Sequence, residues 1–328
     1  MTLPERMRAL GPGLATAVVI ALAATFVAER YGGPQFLYAL LFGMAFHFLA
    51  MHPPTRPGVE FTARTVLRFG VGLLGASIGW EQIVSLGAGS VLLVALGVAG
   101  TILLGAGIAR FVRRSAAEGV LTGGAVAICG ASAALAISAV LPRTERTSQF
   151  TLLTVVGVTA LSTVAMILYP AMVPVLGFNS IAAGVFLGAT IHDVAQVVGA
   201  GYMISPEAGA TATYVKLLRV AMLVPAVLVL AIAFREGASA RRSPVLPWFL
   251  VLFMALVAVN SAGLIPPSAG AALAATSRWC LVAAIAALGV MTSFGDLAAL
   301  GWQPLILLVS ETVFLTVLIV VGMILLGL

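Results

Sequence analysis

The sequence predicts an all-α polytopic membrane protein of about eleven transmembrane helices, arranged as two inverted five-helix repeats plus an extra N-terminal helix. Three observations carry this. Of 328 residues, 61% are hydrophobic and only 9% charged, with a mean hydropathy of +1.15. Soluble domains carry roughly 25% charged residues, so this chain cannot cover a water-facing surface. Second, the apolar runs recur at a length of about 20 residues, which suits membrane helices rather than barrel strands. Third, a Gly-xxx-His pair recurs, as Gly43/His47 and Gly188/His192, at similar places in two halves.

In chain order, the first span covers about 12–29. Its basic start imitates a signal peptide. It has no convincing small-residue cleavage site and is long enough to cross, so it is kept as a helix. Helix 2 covers about 34–51, and the proline-rich loop MHPPTRPG separates it from helix 3, about 61–80. Helix 4, about 88–110, ends on Arg110, Arg113 and Arg114; segment 5 is about 118–141 and helix 6 about 149–174. Helix 7 is about 179–202, helix 8 about 210–234, helix 9 about 245–262, segment 10 about 271–294 and helix 11 about 303–326. With the N-terminus in the cytoplasm, the inside segments hold nine arginines: Arg6, Arg8, Arg56, Arg110, Arg113, Arg114, Arg235, Arg241 and Arg242. The outside loops hold three, Arg30, Arg143 and Arg146. That bias favours eleven spans with the N-terminus inside. The net charge of +6 sits in these short loops, and nothing points to nucleic acid. Cys129 and Cys280 both lie in apolar runs, which argues against a disulfide framework.

The repeat sets the domain organisation: residues 1–33 form the extra helix, 34–177 the first five-helix repeat and 178–328 the second. Helix 2 reads LLFGMAFHF and helix 7 VFLGATIHD; helix 3 carries Arg68 after Leu67 and helix 8 carries Arg219 after Leu218. Five helices is an odd number, so the second copy must be inverted in the membrane. Segment 5 then pairs with segment 10.

Segment 5 places Gly123, Gly124, Cys129, Gly130, Ala131 and Ser132 near its centre, and segment 10 carries Gly289, Thr292 and Ser293 in AALGVMTSFGD. Both read as discontinuous helices. Freed helix N-termini attract anions, so backbone donors together with Ser132, Thr292 and Ser293 are expected to form an anion site. The alternative is tight packing of small residues. Helix 7 carries His192, Asp193 and Gln196 within five residues. Ionisable groups at membrane depth mark functional sites by default, and on a continuous helix 192 and 196 share a face. Substrate contact or proton coupling is the functional reading, and helix-to-helix hydrogen bonding the structural one. Arg68, Lys216 and Arg219 read either as snorkelling cations or as anion-attracting entrances. Glu311, mid-span in helix 11, reads as a proton carrier or as the partner of Arg278; Asn260 caps helix 9 or lines the cavity; His47 reads as packing.

ICGASA in segment 5, GATIHDVAQVVGAG in helix 7 and the following VKLLR resemble the YeiH-type family, whose members are named as sulfate exporters. The resemblance runs from helix 2 to helix 11. The family usually has a Ser or Thr shortly before CGASA, where this chain has GGAVAI. The resemblance implies a bacterial inner-membrane protein whose fold is similar to the bile acid–sodium symporter and cation–proton antiporter group, with a crossed pair of broken helices.

The function expected is secondary transport of a small anion, of the sulfate or organic-sulfonate class, by alternating access. A sodium- or proton-coupled carrier of another solute, such as an organic acid, is the alternative. No acidic cluster for sodium is evident, and the coupling ion is left open. An intramembrane enzyme is a minor alternative: HExxH is absent, Asp193 is the only candidate membrane aspartate, and only a Ser132–His192 pair remains. No GxxxxGK[ST] occurs, so the chain alone does not hydrolyse nucleotide. No cofactor or metal is expected. The expected partners are the small anionic solute and the lipid bilayer, with a homodimer left open.

Overall fold

Large apolar side chains point outward along the long helices, as at Val19, Phe26, Leu103 and Val317, while charged and polar ones lie buried, among them Lys216, Arg219, His192 and Glu311. That inversion of the soluble pattern is what a lipid-facing protein requires. The computed structural model describes residues 3–84, 87–142, 145–234, 247–292 and 302–327. All regular structure among them is helical. Among the described residues six helices are long and apolar enough to cross a membrane, and four shorter apolar ones accompany them.

The helices are α1 Leu3–Tyr31, α2 Gln35–Ala45, α3 Arg56–Phe61, α4 Leu67–Leu74, α5 Trp80–Val84, α6 Gly87–Phe111, α7 Ala116–Ala127 and α8 Ala131–Ser138. They continue as α9 Glu145–Leu176, α10 Ser180–Thr190, α11 Val194–Ile204, α12 Pro206–Ala221, α13 Leu223–Ala233, α14 Trp248–Ser261, α15 Pro267–Met291 and α16 Trp302–Leu326. The chain forms two compact units, neither of them continuous in sequence.

The first unit draws on the described parts of 1–85, 198–210 and 247–293. Here α15 packs on α2 and α4, α1 on α2 and α3, and α14 on α4. Glycines set the closest approach: a Cβ at Gly43 would run into the Ala286 carbonyl, and one at Gly289 into the Leu40 carbonyl. Where α2 gives way to the 3-10 turn His47–Ala50, His47 Nδ1 bonds the Val290 carbonyl at 2.8 Å. His47 therefore does more than fill space. Ser277 Oγ donates to the Gly70 carbonyl at 2.7 Å, tying α15 to α4. Asn260 Nδ2 donates to the Ile78 carbonyl and Arg278 to Gln35.

The second unit draws on the described parts of 86–197, 211–246 and 294–328. α6 and α7 lie backbone to backbone at Gly105 and Gly119, and α16 packs on α6, α7 and α9. α7 begins at a capping box: Ser115 Oγ accepts from Glu118 N–H while Glu118 reaches back to Ser115 N–H. α10 begins with Asn179 accepting from Ala182 N–H.

One break differs from expectation. Helix 7 was expected as one span, but its helical path stops at Thr190 and restarts at Val194. In segment 10, expected as a discontinuous helix on Gly289, Thr292 and Ser293, α15 runs through Gly289 and leaves the helical path at Thr292, whose backbone is extended. Ser293 lies outside the described residues. Segment 5 is interrupted as its glycines predicted, between Ala127 and Ala131.

Candidate functional site

The site lies wholly in the second unit, where the two interrupted helices meet. α7 ends on Ala127. Ile128 turns out of the helix, Gly130 takes φ +65° and ψ −128°, and α8 begins. Only glycine enters that backbone region at little cost. Gly130 N–H closes the end with a bond to the Ala125 carbonyl at 2.8 Å. In the other helix Ile191 is extended, at φ −65° and ψ 140°. The position of a Cβ on Gly130 would lie 3.8 Å from the His192 carbonyl, so the two breaks sit side by side.

Breaking a helix in an apolar interior strands carbonyls at its C-terminal end, each costly unless bonded. Lys216 and Arg219, one turn apart on α12, satisfy them. Arg219 Nε donates to the Ala127 carbonyl at 2.7 Å and Nη2 to Val126 at 2.8 Å. Its Nη1 donates to Gly188 at 3.1 Å and Ile191 at 3.0 Å. Lys216 Nζ donates to Ile128 at 2.6 Å and Ile191 at 2.9 Å. One guanidinium thus bonds four carbonyls of both helix ends through the three nitrogens of its planar fork, while the single nitrogen of Lys216 bridges one carbonyl of each break. α10 and α12 approach closely enough for this because a Cβ on Gly188 would meet Ala212 and Val215. Lys216 is 0% and Arg219 1% exposed. Both are held inside rather than snorkelling to an interface. The charge of Lys216 and Arg219 thus meets the negative ends of the α7 and α10 dipoles.

The two N-terminal ends are treated differently. Asp193 Oδ1 accepts from Ala195 N–H at 2.8 Å and so caps α11 with a negative charge. Asp193 N–H bonds Ser162 Oγ at 3.0 Å. Gln196 is fully buried and bonds Ser162 and Thr163 of α9 at 3.3 Å each. The N-terminus of α8 has no side-chain cap; Cys129 is buried before it, Ala131 is half-buried and Ser132 exposed. His192 Nδ1 bonds the Val126 carbonyl at 3.2 Å, and Nε2 meets Thr312 Oγ1 of α16 at 3.0 Å. A carbonyl only accepts, so the Nδ1 position carries a proton.

The structure therefore brings together Cys129, Gly130, Ala131, Ser132, His192, Asp193, Gln196, Lys216 and Arg219 around the breaks. Thr292 belongs to the first unit, where its hydroxyl bonds back to Leu288. Arg68 also belongs to the first unit and is exposed, with its guanidinium 5.9 Å from the Phe249 ring centre. Its match with Arg219 is one of sequence and not of environment. Sequence reasoning missed Ser162, Thr163 and Thr312. Lone hydroxyls in apolar helices usually bond back to their own helix, so nothing local singled these out.

Fold and site together define a polytopic helical membrane protein with a polar, cation-containing interior. The chain belongs to the family described as Conserved hypothetical protein 698, whose model matches residues 12–308. This is the family the YeiH-type resemblance pointed to. The chain is similar to UPF0324 membrane protein TauZ of Paracoccus denitrificans, at 48% identity over 99% of this chain and 98% of the relative. It is also similar to UPF0324 membrane protein RB0971 of Rhizobium meliloti, at 49% over 97% and 93%, and to CT0845 of Chlorobaculum tepidum, at 48% over 94% and 87%. No solved structure matches the chain.

Proposed function

We propose that this protein is a secondary transporter that moves a small anion, of the sulfate or organic-sulfonate class, across the bacterial inner membrane by alternating access. The observation that carries this reading is the pair of buried cations at the crossing. Each freed helix end counts as roughly half a charge. The two C-termini and the two N-termini of the breaks nearly offset each other, and Asp193 removes about one positive charge. Lys216 and Arg219 supply two, so the crossing retains an excess of about one positive charge in a low-dielectric interior. A small anion is the solute that such a place stabilises. An exposed Ser132 and the uncapped N–H groups of α8 give it hydrogen-bond donors.

The proposed frame is eleven spans with the N-terminus inside, one extra helix at 1–33 and inverted repeats at 34–177 and 178–328. One geometric parallel supports it. In the first unit His47 bonds the Val290 carbonyl near the end of α15. In the second, His192 bonds the Val126 carbonyl near the end of α7. In each case the histidine of one proposed repeat holds the helix end of the other, as a two-fold relation would produce.

The test is anion uptake into proteoliposomes. Ser132→Ala and His192→Ala should each lower sulfate or sulfonate uptake while the purified protein stays folded, with His192→Ala melting lower because it empties a buried, hydrogen-bonded position. Unchanged uptake in both variants would remove these residues from the site.

A further inference from the structure

Glu311 is the buried group that the crossing itself leaves unused. It lies in the middle of α16, fully buried, in the most apolar of the six candidate spans. Thr122 Oγ1 of α7 donates to Glu311 Oε1 at 2.6 Å. Oε2 has no hydrogen-bond partner, and neither does Thr101 Oγ1, one turn before Gly105 on α6. A Cβ at Gly105 would meet Glu311 Oε1 and the Gly119 carbonyl, so the carboxyl is pressed against the α6–α7 contact with no room for a larger side chain there. A carboxylate with one donor and an orphaned oxygen in an apolar interior is held at high cost; a neutral carboxylic acid is not.

The groups facing it do not supply a counter-charge. α6 contributes Thr101 and Gly105. α7 contributes Thr122 and, one turn earlier, Glu118, which bonds Arg114 and Ser115. α9 contributes Tyr169, whose hydroxyl bonds Thr316. From the α10 break comes His192, which meets Thr312, the residue next to Glu311. No other ionisable residue occurs on α16.

We propose that Glu311 is a proton-binding site coupled to the anion site at the crossing, so that anion and proton travel in the same direction. This rests on the transporter reading above. The two sites share α16 at consecutive positions, and they respond to the same charge. A bound anion neutralises the excess positive charge of the crossing, and an ionised Glu311 would do the same at a distance. The two therefore compete: anion binding favours the protonated acid, and deprotonation favours anion release. The only chemical step is transfer of a proton to or from the carboxyl oxygen.

Infrared difference spectroscopy on the purified full-length protein in lipid tests this, with sulfate and methanesulfonate as probes. Wild type should show a protonated-carboxyl C=O band near neutral pH that Glu311→Gln lacks. Thr122→Val keeps the carboxyl but removes its donor, so the band should remain and change frequency. A probe that binds tenfold more tightly to the protonated form should raise the titration midpoint by about one unit. If neither anion binds, loss of the band in Glu311→Gln still supports the proton site, and it is the anion reading that fails. A spectrum unchanged by Glu311→Gln, or a midpoint unmoved by an anion that does bind, overturns the proposal.

Discussion

Lys216 and Arg219 converge on one oxygen, the carbonyl of Ile191, at 2.9 and 3.0 Å. From that shared point Lys216 reaches back to Ile128 and Arg219 to Val126, Ala127 and Gly188. The two interrupted helices are thereby joined through cations rather than through apolar packing alone. A buried hydrogen bond to a charged group contributes roughly 1.5–3 kcal/mol net, and the group left behind by its removal costs a similar amount.

Arg219→Met should therefore destabilise the protein by about 3 kcal/mol or more. Arg219→Lys should recover only part of this, because one ammonium nitrogen cannot replace the three guanidinium nitrogens that bond four carbonyls. Thermal unfolding of the three proteins in the same detergent checks the order, with wild type highest and Met lowest.

Gly130→Ala should lower stability by about 1–3 kcal/mol, because its φ of +65° and ψ of −128° suit glycine alone. Gly107→Ala provides the contrast. Gly107 lies inside α6, and a Cβ there meets nothing within 4 Å. That change should be neutral or stabilising by up to about 1 kcal/mol. Equal melting temperatures for the two variants would mean that the break at Gly130 imposes no backbone demand.

Asp193 combines a cap with a charge, and two substitutions separate them. Asp193→Asn keeps an acceptor for Ala195 N–H and should be less destabilised than Asp193→Ala, which also loses a cap contributing about 1 kcal/mol. Both remove a negative charge from the crossing, so both should bind a small anion more tightly than wild type in equilibrium titrations. Weaker binding in both would make Asp193 part of a cation site instead.

Much of the helical frame was legible because membrane helices announce themselves by length and hydropathy, and the break in segment 5 because Gly130 is a strong helix breaker. The break in helix 7 was not read, although a signal was present. Asp193 followed by Gln196 has the spacing of a helix start, an acidic N-cap with Gln three residues on. The apolar run on both sides concealed it, and no glycine or proline marks Ile191 to Asp193. Gln196 does not close the box in any case; it turns to Ser162 and Thr163. The role of Lys216 and Arg219 was illegible for a different reason. Their partners are backbone carbonyls 25 to 93 residues away, and a carbonyl has no identity in a sequence.

The central claim is that the positive charge at the crossing receives a small anion. The direct measurement is a thermal-shift titration of purified wild type and Lys216→Met with sulfate, sulfite, thiosulfate, sulfonates and dicarboxylates, each with and without sodium. The account predicts that at least one of these anions stabilises wild type in a saturable way and that Lys216→Met, still folded, loses that response. No stabilisation of wild type by any of them, or an equal response in Lys216→Met, would contradict it.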